Sequence, residues 1–190
     1  MRLSKIIGFF IFIFSCCSYE NVFAAALCSL GHGGHGGQDV APSQTAVIQM
    51  SAVNNALCGT FSCPQYQLFQ TNSTANAMAW DDGTSRYIRY NSNFMNQVQT
   101  AYSSYATIGI FGHELGHLID FRSRNNATST SREAYADMYA GCAFAIAGEP
   151  RSNLIYLAQT LHALGASPGY PTPQQRSQLL KQGYDNCSNN

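Results

Sequence analysis

The sequence predicts an α+β domain. Three observations carry that reading. Short stretches of strand character gather between residues 65 and 90, and segments of helical period fill the chain from residue 92 onward. One of those helical segments contains His113-Glu114-Leu115-Gly116-His117, three ionisable side chains inside an apolar run.

The elements follow in chain order. Residues 1–24 read as a secretion signal. Met1, Arg2 and Lys5 form a positive start, residues 6–17 an apolar run too short to span a bilayer, and Ala24, Ala25 and Ala26 a cleavage site. Cys16 offers a lipoprotein alternative. Residues 25–42 hold Gly31-His32-Gly33-Gly34-His35-Gly36-Gly37 without apolar periodicity, which predicts a flexible Gly/His-rich arm. The remaining residues, 43–190, form one domain, long enough to bury a core. Its first helix starts after Ser43 as N-cap, with Val47, Met50, Val53 and Leu57 at helical spacing. Strands are predicted over residues 65–70, 76–80 and 86–90, the last two joined through the turn signal Asp81-Asp82-Gly83-Thr84. Helices follow over residues 92–101 and 104–121, then from Thr130 or Ser131 to Gly148. Another starts at Pro150 and ends at Gly165, and a short one runs from Pro173 to Gln182 with Gly183 after it.

Charge and cysteine usage narrow the function classes. Without residues 1–24 the chain keeps eight basic and nine acidic residues, so no basic face serves nucleic acid or anionic lipid. No later stretch has the apolar length of a membrane span, so the mature chain is expected not to cross a membrane. Export implies a periplasmic or secreted protein in an oxidising compartment. Five cysteines remain after cleavage, which allows two disulfides and one spare thiol. Cys187 is expected to tie to the helical half near Cys142, and Cys58 and Cys63 are spaced to close a small loop.

His113 and His117 stand at i and i+4, so a helix presents both imidazoles to one ion. Glu114 projects beside that ion, placed to take a proton from bound water. Composition alone makes such a motif a rare accident, about 0.003 per chain. Two histidines and a glutamate inside an apolar helix are costly unless partnered. A catalytic zinc needs a third protein ligand and an open position. Glu133, twenty residues after His113, supplies a candidate, with Asp137 one turn later on the same face to hold the free ring nitrogen of a ligand histidine. The alternative use of Glu133 is as a capping-box residue, three after Thr130.

With Glu133-Ala134-Tyr135-Ala136-Asp137 placed after the HExxH, the chain resembles the gluzincin zinc metallopeptidases. Within them it is similar to the M48 family, in its soluble, periplasmic BepA-like branch. The resemblance spans residues 65–180 and implies a zincin-like fold: a small mixed sheet whose edge strand receives substrate, packed on the HExxH helix and a second ExxxD helix. It implies one Zn2+ per chain on His113, His117 and Glu133, a peptide or protein substrate, and Glu114 as general base. The family's Asn-Ala-x-Ala segment is matched by Asn76-Ala77-Met78-Ala79, so Asn76 and Ala77 are expected at the substrate. The main chain of residues 86–90, at Tyr87 and Ile88, is expected to act as the edge. Tyr170-Pro171 stands where the family has His-Pro, followed by Arg176. Tyr170 there would donate to an oxyanion, plug the open metal position, or pack on the surface. Two rivals accompany this reading: a catalytically weak or inactive peptide-binding or envelope-assembly module, and a zinc hydrolase of a non-peptide amide.

Overall fold

The computed structural model describes residues 39–123, 128–164 and 170–188. The proposed signal, Cys28, His32, His35 and Gly165 lie outside these residues. Among the described residues three strands, β1 (Gln67–Gln70), β2 (Ala77–Asp81) and β3 (Arg86–Tyr90), stand beside six helices. The helices are α1 (Gln44–Cys58), α2 (Ser92–Tyr102), α3 (Ser104–Ser123), α4 (Ser129–Ile146), α5 (Leu154–Leu164) and α6 (Pro173–Cys187). A 3-10 turn, Arg151–Asn153, leads into α5. The α+β reading therefore holds at the level of a small mixed sheet with surrounding helices. Among the described residues no helix is long and apolar enough to cross a membrane.

Helix starts follow side-chain capping. Ser43, Asn91, Thr128 and Thr172 each accept a hydrogen bond from the backbone N–H three residues on. Ser103, at φ 91°, breaks the path between α2 and α3. The α1 core face is Ala46, Met50, Val53 and Leu57, while Val47, expected among them, is largely exposed.

Helix α3 is the hub. It is buried on nearly every side from Ala106 to Asp120, with Ile110, Phe111, Leu115 and Leu118 in the core. It packs along β2 on one flank and α4 on another, and α4 in turn packs on α6. Close approach explains the glycines. A Cβ on Gly112 would stand 3.0 Å from the Ala143 Cβ, and one on Gly116 3.0 Å from the Ala136 Cα. Gly141 and Gly183 do the same between α4 and α6, where a Cβ would collide with the Leu180 or Met138 carbonyl. Gly183 was expected to follow the last helix. Instead α6 continues through it to Cys187, because contact with α4 rewards helix there despite the weak propensity of glycine.

The sheet order is β1-β3-β2, with β1 parallel and β2 antiparallel to β3. This corrects the expected edge. Residues 86–90 form the central strand, and both of its sides are taken by neighbours. Ile88 is fully buried in the core. Tyr87 stacks on its cross-strand partner Trp80 with ring centroids 5.9 Å apart, under the Arg89 guanidinium at 4.2 Å. Neither residue offers an open main-chain edge. The edge strand that packs on α3 is β2. The end of the expected arm is also corrected. Val40 exchanges two backbone hydrogen bonds with Gln70, and Asp39 makes an ion pair with Arg89 at 2.7 Å, so residues 39–40 are tied to the sheet.

Among the described residues two disulfides form, Cys58–Cys63 and Cys142–Cys187, the pairs expected as plausible from sequence. The second staples α4 to α6 across a sequence separation of 45, against 5 for the first. Loop-closure entropy then predicts unequal contributions. Replacing Cys142 and Cys187 by serine is expected to cost about 4 kcal/mol, and replacing Cys58 and Cys63 about 2 kcal/mol. Urea unfolding of the two variants checks this, and an equal or reversed order would refute it.

Candidate metal centre

The centre is assembled from two helices. On α3, His113 and His117 lie one turn apart with ring centroids 4.7 Å apart and planes at 89°. Their Nε2 atoms approach to 3.1 Å. On α4, Glu133 places Oε2 3.4 Å from the His113 Nε2 and Oε1 3.4 Å from the His117 Nε2. All three side chains are buried. They form a group that could hold a metal ion.

A tetrahedral ion with ligand bonds of about 2.0–2.1 Å has ligand–ligand edges of about 3.3–3.4 Å. Each Glu133 oxygen stands at that distance from one imidazole, and one ligand atom from each of the three residues lies within 4.8 Å of the other two. Two imidazoles and a carboxylate are also the donor set of open, catalytic sites rather than closed structural ones.

Glu133 lies outside the helix cap because α4 begins at Ser129, earlier than the expected Thr130 or Ser131. The cap is Thr128, whose side chain accepts from the Ser131 N–H, so the capping-box position falls on Ser131. The alternative use of Glu133 as a capping residue is thereby removed. Asp137, one turn on, has Oδ1 3.0 Å from the His113 Nδ1, the ring nitrogen opposite the metal side.

Glu114 lies 1% exposed, and neither of its oxygens has a hydrogen-bond partner of good geometry. Burial pushes its carboxyl up to about 7, against the pull of the His113 charge and of the Ala79 backbone amide on β2. An unpartnered buried carboxylate is expensive, which makes Glu114, beside a group that could hold a metal, a candidate functional residue.

The two histidines diverge. Burial opposes charge on His113, but Asp137 and Glu133 outweigh it and raise its pKa to about 10. Burial, reinforced by His113, lowers His117 to about 3 despite Glu133. Asp137 is itself raised, chiefly by burial. The metal-free cluster thus keeps a proton on His113 at neutral pH, which an incoming cation must displace. If a divalent cation such as zinc binds here, its uptake near pH 7 is expected to release about one proton, with apparent affinity falling about tenfold for each unit of pH below neutrality, because the raised pKa keeps the competing proton bound. Calorimetry in buffers of different ionisation enthalpy measures the release. A pH-independent affinity would show that His113 is not the displaced acid.

The other expected residues fall into place unevenly. Asn76 is buried. Its carbonyl accepts from the Asn91 N–H at 2.6 Å and its Oδ1 from the Thr74 hydroxyl at 3.3 Å, so it ties β2 to the cap of α2. Ala77 is fully buried at the start of β2. Tyr170 is half-buried, immediately before buried Pro171 and the α6 cap Thr172. His162, read as a packing residue, is half-buried on α5.

Arg176, named from sequence only as the arginine that follows Tyr170-Pro171, had no role assigned there. The Arg176 guanidinium, fully buried on α6, donates to Asp137 Oδ1 at 2.9 Å and to Glu133 Oε2 at 3.4 Å. A signal existed: Arg176, Leu180, Gly183 and Cys187 share one helical face, and the other three members are small or apolar.

Comparison of the chain with protein-family models, curated proteins and solved structures finds no match. Functional meaning therefore comes from the chemistry of the buried cluster on α3, α4 and α6.

Proposed function

We propose that this protein is an exported zinc-dependent metallopeptidase, related in mechanism to the gluzincins. The observation that carries the proposal is Glu114, a buried and unpartnered carboxylate one residue from His113 and adjacent to a three-donor group. Two nitrogens and one carboxylate oxygen suit zinc, with a position left open for reaction.

His113, His117 and Glu133 would hold the ion. A zinc ion there supplies Lewis acidity toward a scissile carbonyl and lowers the pKa of water. The protein's own groups do the rest. Glu114 accepts the proton of the attacking water and returns it to the leaving amine. A carboxyl raised to about 7 suits both halves of that transfer at neutral pH. Asp137 keeps the His113 Nδ1 protonated so that Nε2 faces the metal. An extended peptide would add to the edge of β2, whose Ala79 amide lies near Glu114, rather than to β3. The two disulfides fit an oxidising, extracytoplasmic compartment.

The near-complete burial of the cluster favours a second reading, a module that keeps the metal fold but holds peptides without cleaving them. Incubation of the zinc-loaded protein with an unstructured protein, followed by mass spectrometry, separates the two. Cleavage that stops with a chelator and returns with zinc is the expected result. Peptide retention without cleavage would replace the peptidase with the module.

A further inference from the structure

We infer that Arg176 is a positioning residue of the metal centre, locking Glu133 and Asp137 into their working geometry and completing the charge balance of the buried cluster. The inference rests on the proposed metal reading of the site.

Three carboxylates, Glu114, Glu133 and Asp137, and one guanidinium, Arg176, are each no more than 1% exposed. Asp120 and Arg132, buried on the same two helices, add one charge of each sign and cancel. With both imidazoles neutral, as metal ligation would require, the cluster formally carries two negative charges in excess, which a divalent cation neutralises. Without Arg176 the loaded centre would hold an uncompensated negative charge away from water, a costly arrangement.

Geometry adds a second reason. Glu133 and Asp137 stand at i and i+4 on one face of α4, where like charges repel, and more strongly in a buried site. Arg176 places one amino group on each of them, Nη1 on Asp137 and Nη2 on Glu133. It thereby touches both the residue that would bind the metal and the residue that orients His113. Lysine, a single point charge, does not offer this planar fork.

Arg176 reaches the centre from a separate helix. The close approach at Gly141 and Gly183 and the Cys142–Cys187 disulfide bring α6 against α4. The metal centre is thus completed by the most C-terminal helix of the described chain.

Cobalt binding tests the inference without reference to activity, since visible absorption of Co2+ reports its donors and geometry. Full-length wild-type protein is compared with Arg176→Gln and Arg176→Lys. The Gln variant is expected to retain its circular dichroism and both disulfides, to bind Co2+ ten- to hundredfold more weakly, and to show an altered visible band. The Lys variant, keeping the charge but not the fork, is expected to fall between the two. Wild-type affinity and spectrum in Arg176→Gln would overturn the role. If that variant does not fold, wild-type affinity and spectrum in Arg176→Lys would overturn it instead. Failure of the wild type to bind Co2+ or Zn2+ would sink the metal reading and this inference together. Normal wild-type binding with unaffected variants removes Arg176 alone.

Discussion

Glu114→Gln is expected to lower peptide turnover by roughly 10²–10⁴-fold while leaving zinc content at wild-type level. The substitution keeps the shape of the side chain and removes only its capacity to accept a proton. Glu114 is not among the three donors, so the ion should stay. The same change carries an opposite effect on stability. The folded-state pKa of Glu114 is raised from 4.5 to about 7 by burial. Below pH 4.5 both folded and unfolded chains hold the proton, and the group contributes nothing. Above about pH 7 the folded chain bears a buried carboxylate that the unfolded chain solvates, a penalty on the order of 3 kcal/mol. Metal-free Glu114→Gln should therefore melt higher than metal-free wild type at pH 8, with the gain vanishing near pH 4. Retained turnover would remove Glu114 as the base. Lost turnover with no stability gain would mean that its carboxylate is better solvated than its burial implies.

The second large effect concerns metal content. Exchanging both His113 and His117 for alanine should reduce bound zinc from about one per chain to near zero, because a single carboxylate cannot hold the ion against water. Glu133→Ala should act in the same direction, more weakly, since both imidazoles remain. Elemental mass spectrometry of each purified variant gives the stoichiometry. Disulfide mapping guards against misfolding, as Cys142–Cys187 forms only when α4 and α6 dock. Stoichiometric zinc in the folded double histidine variant would place the metal elsewhere and end the proposed mechanism.

The contrast between His113–His117 and Glu133 shows how legibility varied within a single site. The histidine pair is a property of one helix: a spacing of four brings both rings to the same face whatever surrounds them. The Glu133 contact depends on how closely α4 approaches α3. That distance is set by Gly112 and Gly116 against Ala136 and Ala143. In sequence these small residues resemble any others, so the carboxylate was recognisable as a candidate but not as a neighbour.

Short-range spacing, turn chemistry and side-chain type made the local features legible: the Ser43 cap of α1, the hairpin of β2 and β3, and the paired imidazoles with Glu114 beside them. The α4 cap at Thr128, ahead of the expected start at Thr130 or Ser131, and the pairing of Cys142 with Cys187 across 45 residues were not readable in that way. Strand order, with β3 in the centre, was settled by tertiary packing. β1 pairs with β3 in parallel across a long connection, and strand order leaves no trace in an alternation that reads the same for central and edge strands. Tertiary packing likewise carried α6 through Gly183 and brought Arg176 to two carboxylates some forty residues away in sequence. A buried arginine is stable only where such partners already stand, so its role appears once the helices are assembled.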